Sequence, residues 1–150
     1  MDEKDKERVR QRLYDYARAI DARDFELLAE CFTADARASY GGQDVGPGRE
    51  AIVDFLRGAL TSRSSMHLLA NIQIEGDGQR ARTTCETIAY HVEEADGSSR
   101  LTTRGLHYTD SLVVEDGEWR IVERKHIGVW MTHQPVQDLL QADANQWSQP

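Results

Sequence analysis

Three Asp-Gly pairs separate four long runs of alternating apolar and polar residues in the second half of the chain. The pairs are Asp77-Gly78, Asp96-Gly97 and Asp116-Gly117, and the runs span about 66–74, 81–93, 100–114 and 119–130. An Asp-Gly pair between alternating runs is a strong hairpin signal, because both residues tolerate the positive φ angles of tight hairpin turns. The second half is therefore predicted to be a meander of four antiparallel strands.

Helical periodicity dominates the first half. Apolar residues recur at helical spacing over about residues 4–20, and Asp24 can cap a short second helix. A short strand at 36–40 and a glycine-rich loop precede a third helix. Helices followed by a meander predict an α+β fold, in which three N-terminal helices pack on a strongly curved mixed or antiparallel sheet. Such a sheet forms a cone with an open end, and its interior is a natural small-molecule pocket.

The length of the chain predicts its domain organisation, and its charge argues against some classes of binding partner. The 150 residues predict one domain, residues 1–132, followed by a tail, residues 133–150, with a weak helical stripe at Val136, Leu139, Leu140 and Trp147. The net charge of -8 and the lack of a Lys/Arg run argue against binding to nucleic acid or to an anionic membrane surface. No apolar run approaches the roughly 20 residues of a membrane span.

The two cysteines and the N-terminal residues indicate the cellular compartment in which we expect the protein. Cys31 and Cys85 lie in apolar patterns without metal-ligand spacing, which is typical of buried thiols in a reducing compartment. The N-terminus is charged and lacks the apolar core of a signal peptide. We therefore expect a cytoplasmic protein.

One histidine and one aspartate form a candidate catalytic pair. His67 opens the first run of the meander, and Asp21 lies at the end of the first helix. A carboxylate that contacts an imidazole fixes its tautomer and raises its basicity, and the imidazole of histidine titrates near neutral pH. Spacing alone favours the simpler interpretation, in which a surface histidine and a helix-terminal aspartate never meet.

Several short motifs together change that interpretation. They are Tyr14-x-Tyr16-Ala17-x-Ala19-x-Asp21-x-x-Asp24-x-x-x-Leu28, Cys31-Phe32-Thr33-x-Asp35-Ala36, Gly48-x-Glu50-Ala51-Ile52, Met66-His67, Gly105-x-x-Tyr108-x-Asp110 and Asp116-Gly117-x-Trp119-Arg120-Ile121. In combination they resemble the SnoaL-like branch of the NTF2-like superfamily, over about residues 5–131. That family includes dehydratases, dehydrochlorinases, polyketide cyclases, isomerases and non-catalytic subunits, so the fold alone does not give the function.

The resemblance is closest to the subgroup of scytalone dehydratase, bile-acid 7α-dehydratase and hexachlorocyclohexane dehydrochlorinase. It implies that His67 removes a proton from carbon, that Asp21 orients His67, and that no cofactor or metal takes part. The spacings His-x-His and His-Glu-x-x-His, typical of metal sites, are also missing from the sequence. The substrate-binding residues that we expect from the resemblance and the strand faces are Tyr16, Tyr40, His91, Tyr108 and His126.

Two of these expectations depend on which face a residue occupies. His91 enters the pocket if Cys85, Thr87 and Ala89 face inward, whereas a slip of one residue replaces His91 with Tyr90. His126 shares a face with Arg124, Gly128 and Trp130, and the resemblance places that face in the cavity.

Departures from the subgroup leave the substrate open. The serine and asparagine of scytalone dehydratase align with Leu106 and Tyr108, and the arginine of bile-acid dehydratase aligns with Gly128. The sequence therefore predicts a cofactor-free lyase of the dehydratase type, or a related cyclase or isomerase, acting on a mostly apolar cyclic small molecule. The alternatives are a non-catalytic binding or assembly module and a protein like a dioxygenase small subunit. We also expect a homodimer or homotrimer that forms through the outer sheet face, to which Val113 and Ile121 are assigned.

Overall fold

Residues 1–137, except for the side chain of Ala95, are described by a computed structural model of the chain and contain three helices and six strands. The elements are α1 (Glu3–Ala22), α2 (Phe25–Glu30), β1 (Phe32–Tyr40), β2 (Gln43–Val45), α3 (Arg49–Ala59), β3 (Ser64–Gly76), β4 (Arg80–Ala95), β5 (Ser98–Glu115) and β6 (Glu118–Pro135). The α+β prediction is confirmed. Of the predicted tail, residues 133–135 continue β6, whereas Leu139, Leu140 and Trp147 lie outside the described residues.

The strands form one mixed sheet in the order β2-β1-β6-β5-β4-β3. Every neighbouring pair is antiparallel except β1 and β6, which run parallel. Asp96-Gly97 and Asp116-Gly117 form two of the three predicted tight turns, with φ angles of 52° and 76° and of 53° and 78°. The Asp77-Gly78 connection differs, because the Asp77 carboxylate accepts hydrogen bonds from the backbone N–H groups of Gln79 and Arg80.

The helices cover the concave face of the sheet. Helix α1 contacts the edge strand β3 and also β6, which lies three strands further into the sheet. The helix therefore crosses the concave face of the sheet. Its buried residues are Val9, Leu13, Tyr16, Ala17, Ala19 and Ile20. The helix ends at Arg23 in the left-handed conformation, with a φ angle of 58°, and Asp24 then caps α2 by accepting a hydrogen bond from the Leu27 N–H at 3.0 Å. This sharp ending leaves Asp21 in the last turn of α1, directed at β3.

The alternation of β4 resolves the position of His91. Cys85, Thr87 and Ala89 are buried, and His91 pairs with Ser65 across the β3–β4 ladder. Tyr90 lies on the opposite face of β4, paired with Met66. Of the two registers left open by the sequence, the structure has the one that places His91 on the face of Cys85, Thr87 and Ala89.

Two placements on the sheet were wrong. Ile121 is fully buried, because it pairs with the buried residues Phe32 and Leu112 and faces the core. Trp130 does not share the inner face of His126, because a bulge changes the register of β6 between its pairings with Leu106 and Gly105. The Trp130 ring instead covers Gly105, where an added Cβ would lie 2.2 Å from the indole.

The outer face of the sheet carries apolar side chains that are about half exposed. They are Met66, Leu68, Ile127 and Trp130. Helices cover the other face, so this surface is not part of the core. No helix in the described part of the chain is long and apolar enough to cross a membrane.

Candidate active site

Asp21 and His67 contact each other through two hydrogen bonds. His67 Nδ1 lies 2.7 Å from Asp21 Oδ1, and the His67 backbone N–H donates to Asp21 Oδ2 at 2.8 Å. The Ser65 hydroxyl also donates to Oδ1, at 2.8 Å. A carboxylate can only accept hydrogen bonds, so Nδ1 of His67 carries the hydrogen and Nε2 keeps its lone pair. The carboxylate thus fixes the ring in the tautomer and orientation of a general base.

The pair is sheltered from solvent but not sealed. The side chain of His67 is 6% exposed and that of Asp21 is 24% exposed. Burial raises the pKa of the Asp21 carboxyl, but the hydrogen bonds and charge of His67 outweigh burial, and the pKa lies below its ordinary value. Asp21 is therefore ionised at neutral pH and can stabilise a protonated His67.

Four aromatic rings, those of Tyr16, Tyr40, Tyr108 and His126, pack together between the helices and the concave face of the sheet. The Tyr16 and Tyr40 hydroxyls are 3.1 Å apart, and the Tyr16 and Tyr108 rings meet edge to face at 6.2 Å. The His126 ring lies 5.4 Å from that of Tyr40 and 5.3 Å from that of Tyr108. These four residues, all expected at the pocket from the sequence, form one continuous aromatic surface.

Burial sets the protonation of this surface. It raises the pKa of Tyr16, and those of Tyr40 and Tyr108 well above the ordinary value, so all three hydroxyls keep their hydrogens at neutral pH. Burial, together with the charge of Arg124, lowers the pKa of His126 to about 4. These four side chains are therefore uncharged at pH 7.

A buried ion pair supports the aromatic surface. Arg124 donates to both carboxylate oxygens of Asp110 at 2.7 Å, and both side chains are fully buried. The Arg124 guanidinium also lies over the Tyr16 ring, 3.8 Å from its centroid, and 4.6 Å from the centroid of Tyr108. Cation–π contacts of this kind fix the orientation of the two rings.

His91 is the second imidazole at the candidate base. Its ring centroid lies 5.4 Å from that of His67, with the planes nearly perpendicular at 87°. Its Nδ1 atom is 3.0 Å from the Ser62 hydroxyl. The seven residues expected at the site form two contact groups. Asp21, His67 and His91 meet at the β3–β4 edge, and Tyr16, Tyr40, Tyr108 and His126 pack together between α1 and the sheet.

The sequence analysis missed Arg23, Ser62 and Ser65. Arg23 Nη1 donates to the Ser65 hydroxyl at 2.8 Å, and Nη2 donates to the Ser62 hydroxyl at 2.9 Å. Because successive side chains in a strand point to opposite faces, Ser65 could have been predicted to share the face of His67. No comparable pattern marks Arg23, which lies in a helix cap, or Ser62, which lies in a connecting loop.

A surface cleft of about 560 Å³ lies away from this group. It is formed by the β4–β5 turn, the end of β6 and nearby loop residues, and it includes Arg63, Glu94 and Pro135. The cleft is open and contains neither Asp21 nor His67, so the geometry of the pair rather than this cleft identifies the candidate site. Among the residues that the structure describes, no three His, Cys, Asp or Glu side chains are grouped as potential metal ligands.

Comparison with solved structures shows the same fold in other proteins. One, from Novosphingobium aromaticivorans and provisionally named a scytalone dehydratase, is 25% identical, with a TM-score of 0.75 over 88% of this chain and 89% of that one. Another, the hexachlorocyclohexane dehydrochlorinase LinA-type3 from Novosphingobium barchaimii, is 15% identical, with a TM-score of 0.74 over 89% of this chain and 91% of that one.

Comparison by sequence assigns the family. An uncharacterised protein from Mycobacterium tuberculosis is 34% identical over 125 residues, which cover 80% of this chain and 82% of the relative. Residues 3–125 match the family described as the SnoaL-like domain. The chain therefore belongs to the SnoaL-like family and has the NTF2-like fold.

Proposed function

We propose that the protein is a cofactor-free lyase of the dehydratase type, or a related cyclase or isomerase, and that Asp21 and His67 are its catalytic pair. One observation carries the proposal. The Asp21 carboxylate binds both the backbone N–H and the Nδ1 atom of His67, at 2.8 and 2.7 Å. A binding protein has no need to fix an imidazole in this way, whereas a general base depends on it.

The chemistry starts at Nε2 of His67. This atom takes a proton from a carbon next to a carbonyl or another acidifying group, and the C–H electron pair moves into the carbonyl to form an enolate. When the enolate reforms the carbonyl, its electrons expel a hydroxyl group from the next carbon. His67 returns its proton to the departing oxygen, which leaves as water. Substrate and product then differ by one water molecule, and His67 ends in its starting state.

Hydroxyl donors stabilise the developing negative charge. Of the paired Tyr16 and Tyr40 hydroxyls, one donates to the other, and the hydrogen of the second remains free to donate to a substrate oxygen. Both phenols stay protonated because burial raises their pKa values. Donors fixed in a dry site favour an oxyanion more than the neutral carbonyl, and a single such donor contributes about 10²–10³-fold to kcat.

The aromatic surface indicates a mostly apolar cyclic substrate. Tyr40, Tyr108 and His126 present flat rings on which a ring-shaped ligand can stack. The names of the two structural relatives also favour an elimination reaction, since dehydratases and dehydrochlorinases both catalyse eliminations. At such low sequence identity, similarity to these structures is evidence for the fold alone. The proposed chemistry therefore rests on the residues of this chain.

A panel of cyclic ketones and hydroxy-ketones tests this function, with NMR detection of elimination or rearrangement. We expect at least one member to react with the wild-type protein and not with His67→Ala. His107→Ala is the matched control, because His107 is exposed on β5, and it should react like the wild-type protein. No reaction across the panel would favour the non-catalytic binding or assembly module, and assembly with a large iron-bearing partner would favour a dioxygenase small subunit.

We also propose that copies of the chain associate through the outer sheet face. The half-exposed residues Met66, Leu68, Ile127 and Trp130 lie together there, where charged side chains would be expected on a monomer. A dimer or a trimer would cover them. Cys31 and Cys85 are free and buried, which is compatible with the cytoplasm as the compartment that we propose.

A further inference from the structure

His91 is placed beside the candidate base but differs from it in its surroundings. No carboxylate contacts its ring among the described residues, and the Ser62 hydroxyl lies 3.0 Å from Nδ1. Burial lowers the pKa of His91 to about 4, with further contributions from the positive charges of His67 and Arg104. The ring is therefore neutral at pH 7, so one of its nitrogens carries a hydrogen and the other does not.

Arg23 connects the surroundings of the two histidines. Its Nη1 atom donates to the Ser65 hydroxyl, which in turn donates to Asp21, the partner of His67. Its Nη2 atom donates at 2.9 Å both to the Ser62 carbonyl and to the Ser62 hydroxyl, which contacts His91. One guanidinium therefore holds both serines. The left-handed backbone of Arg23 at the end of α1 turns its side chain toward them.

The hydrogen bond from Arg23 to Ser62 favours one tautomer of His91. A guanidinium can only donate, so the Ser62 oxygen uses a lone pair to accept from Arg23. In the described part of the chain, His91 Nδ1 is the other side-chain atom within reach of that oxygen. The Ser62 hydrogen is thus available for Nδ1, and the positive charge of Arg23 on the same side favours a lone pair there. Both features favour the tautomer in which Nδ1 accepts and the ring hydrogen lies on Nε2.

We propose that Arg23 and Ser62 are positioning residues that hold His91 in the neutral tautomer with hydrogen on Nε2, and that this N–H donates to a substrate oxygen beside the carbon from which His67 removes the proton. This inference rests on the proposed function and narrows its substrate class to compounds that carry a carbonyl or hydroxyl oxygen at that place. The two imidazoles then have opposite roles, because His67 accepts a proton and His91 donates a hydrogen bond without losing its own proton.

Nitrogen-15 NMR of the full-length labelled protein tests the tautomer at pH 7. In a long-range ¹H–¹⁵N correlation spectrum, we expect the His91 Nε2 signal of a protonated nitrogen and the Nδ1 signal of an unprotonated one. Ser62→Ala should shift His91 toward a mixture of tautomers, whereas Ser62→Thr, which keeps the hydroxyl, should restore the wild-type pattern. A protonated Nδ1 in the wild-type protein, or an unchanged pattern in Ser62→Ala, would overturn the inference.

Two substitutions of His91 test the donor role in the reaction. The amide nitrogen of Gln reaches approximately the place of Nε2, whereas that of Asn reaches only the place of Nδ1. We expect His91→Gln to retain most of kcat and His91→Asn to lose about 10²-fold, the typical effect of removing one such donor. Equal losses in both variants would overturn the donor role.

The NMR experiment and the activity measurements together distinguish failure of this inference from failure of the proposed function. A protein that turns over no substrate but shows hydrogen on His91 Nε2 would contradict the proposed reaction and support the positioning by Arg23 and Ser62. Hydrogen on Nδ1 would contradict the positioning, whatever the activity.

Discussion

Replacement of Asp110 by Asn should destabilise the protein strongly. Asp110 and Arg124 are both fully buried and are joined by two hydrogen bonds of 2.7 Å. Asn has nearly the same shape as Asp but no charge, so the variant leaves Arg124 buried without a counterion. Breaking a buried pair on one side costs about 3–5 kcal/mol, because the remaining charge is uncompensated.

The expected loss is a large part of the total stability. Domains of this kind unfold with a free energy of about 5–15 kcal/mol. With a urea dependence of about 2 kcal/mol/M, a loss of 3–5 kcal/mol lowers the midpoint of unfolding by roughly 1.5–2.5 M. Urea titration followed by circular dichroism measures this shift directly.

Asp54→Asn is the matched control. Asp54 also accepts from an arginine, Arg57, at 2.7 Å, but the two side chains are 72% and 54% exposed. An exposed pair contributes about 0–1 kcal/mol, so the control midpoint should barely move. Asp110→Leu combined with Arg124→Met should recover most of the lost stability, because it removes both buried charges. If Asp110→Asn costs no more than Asp54→Asn, burial does not determine the strength of this pair.

Two further predictions concern pH and assembly. The pKa values of His91 and His126 are lowered to about 4 in the folded protein, so between pH 6.5 and 4 the unfolded chain binds more protons and stability falls as pH falls. Urea titrations at pH 7 and 4.5 should show a smaller loss for His91→Gln than for the wild-type protein, and equal losses would contradict the assignment. For assembly, light scattering at micromolar concentration should give a dimer or trimer that Leu68→Asp dissociates. A monomeric wild-type protein would refute the proposed interface.

Local signals in the sequence were sufficient for most of the fold. The Asp-Gly pairs located the meander, because their turn geometry depends only on the two residues themselves. The apolar stripe of α1 and the cap at Asp24 likewise depend on residues within a few positions of each other. The short strand β2 was not predicted, because its three residues, Gln43–Val45, are too few for a recognisable alternation.

The placements that failed depend on the shape of the whole sheet. The bulge in β6 moves Trp130 to the outer face, and alternation within β6 alone cannot show an inserted residue. Ile121 was assigned to the outer face, although its pairing with Phe32 in the parallel strand β1 buries it. In both cases the missing information was the register of pairing with a neighbouring strand, β5 for Trp130 and β1 for Ile121.

The candidate site was predictable in part. Alternation left His91 and Tyr90 as alternatives for the inner face, and the contact between Asp21 and His67, which are 46 positions apart, could not follow from spacing. The family resemblance suggested that contact. Neither source indicated Arg23, because its contribution depends on the left-handed cap that directs its guanidinium to Ser62 and Ser65.

The exchange of a substrate C–H proton with deuterated water tests the Asp21–His67 pair most directly, because it measures proton abstraction without requiring the later steps. For any cyclic ketone that the wild-type protein exchanges, Asp21→Asn should reduce the exchange rate by ~10²–10⁴-fold, the usual contribution of general base catalysis. Asp24→Asn is the control, since Asn also caps helices well and Asp24 lies outside the site, and it should leave the rate unchanged. Equal exchange rates for the wild-type protein and Asp21→Asn would contradict the account.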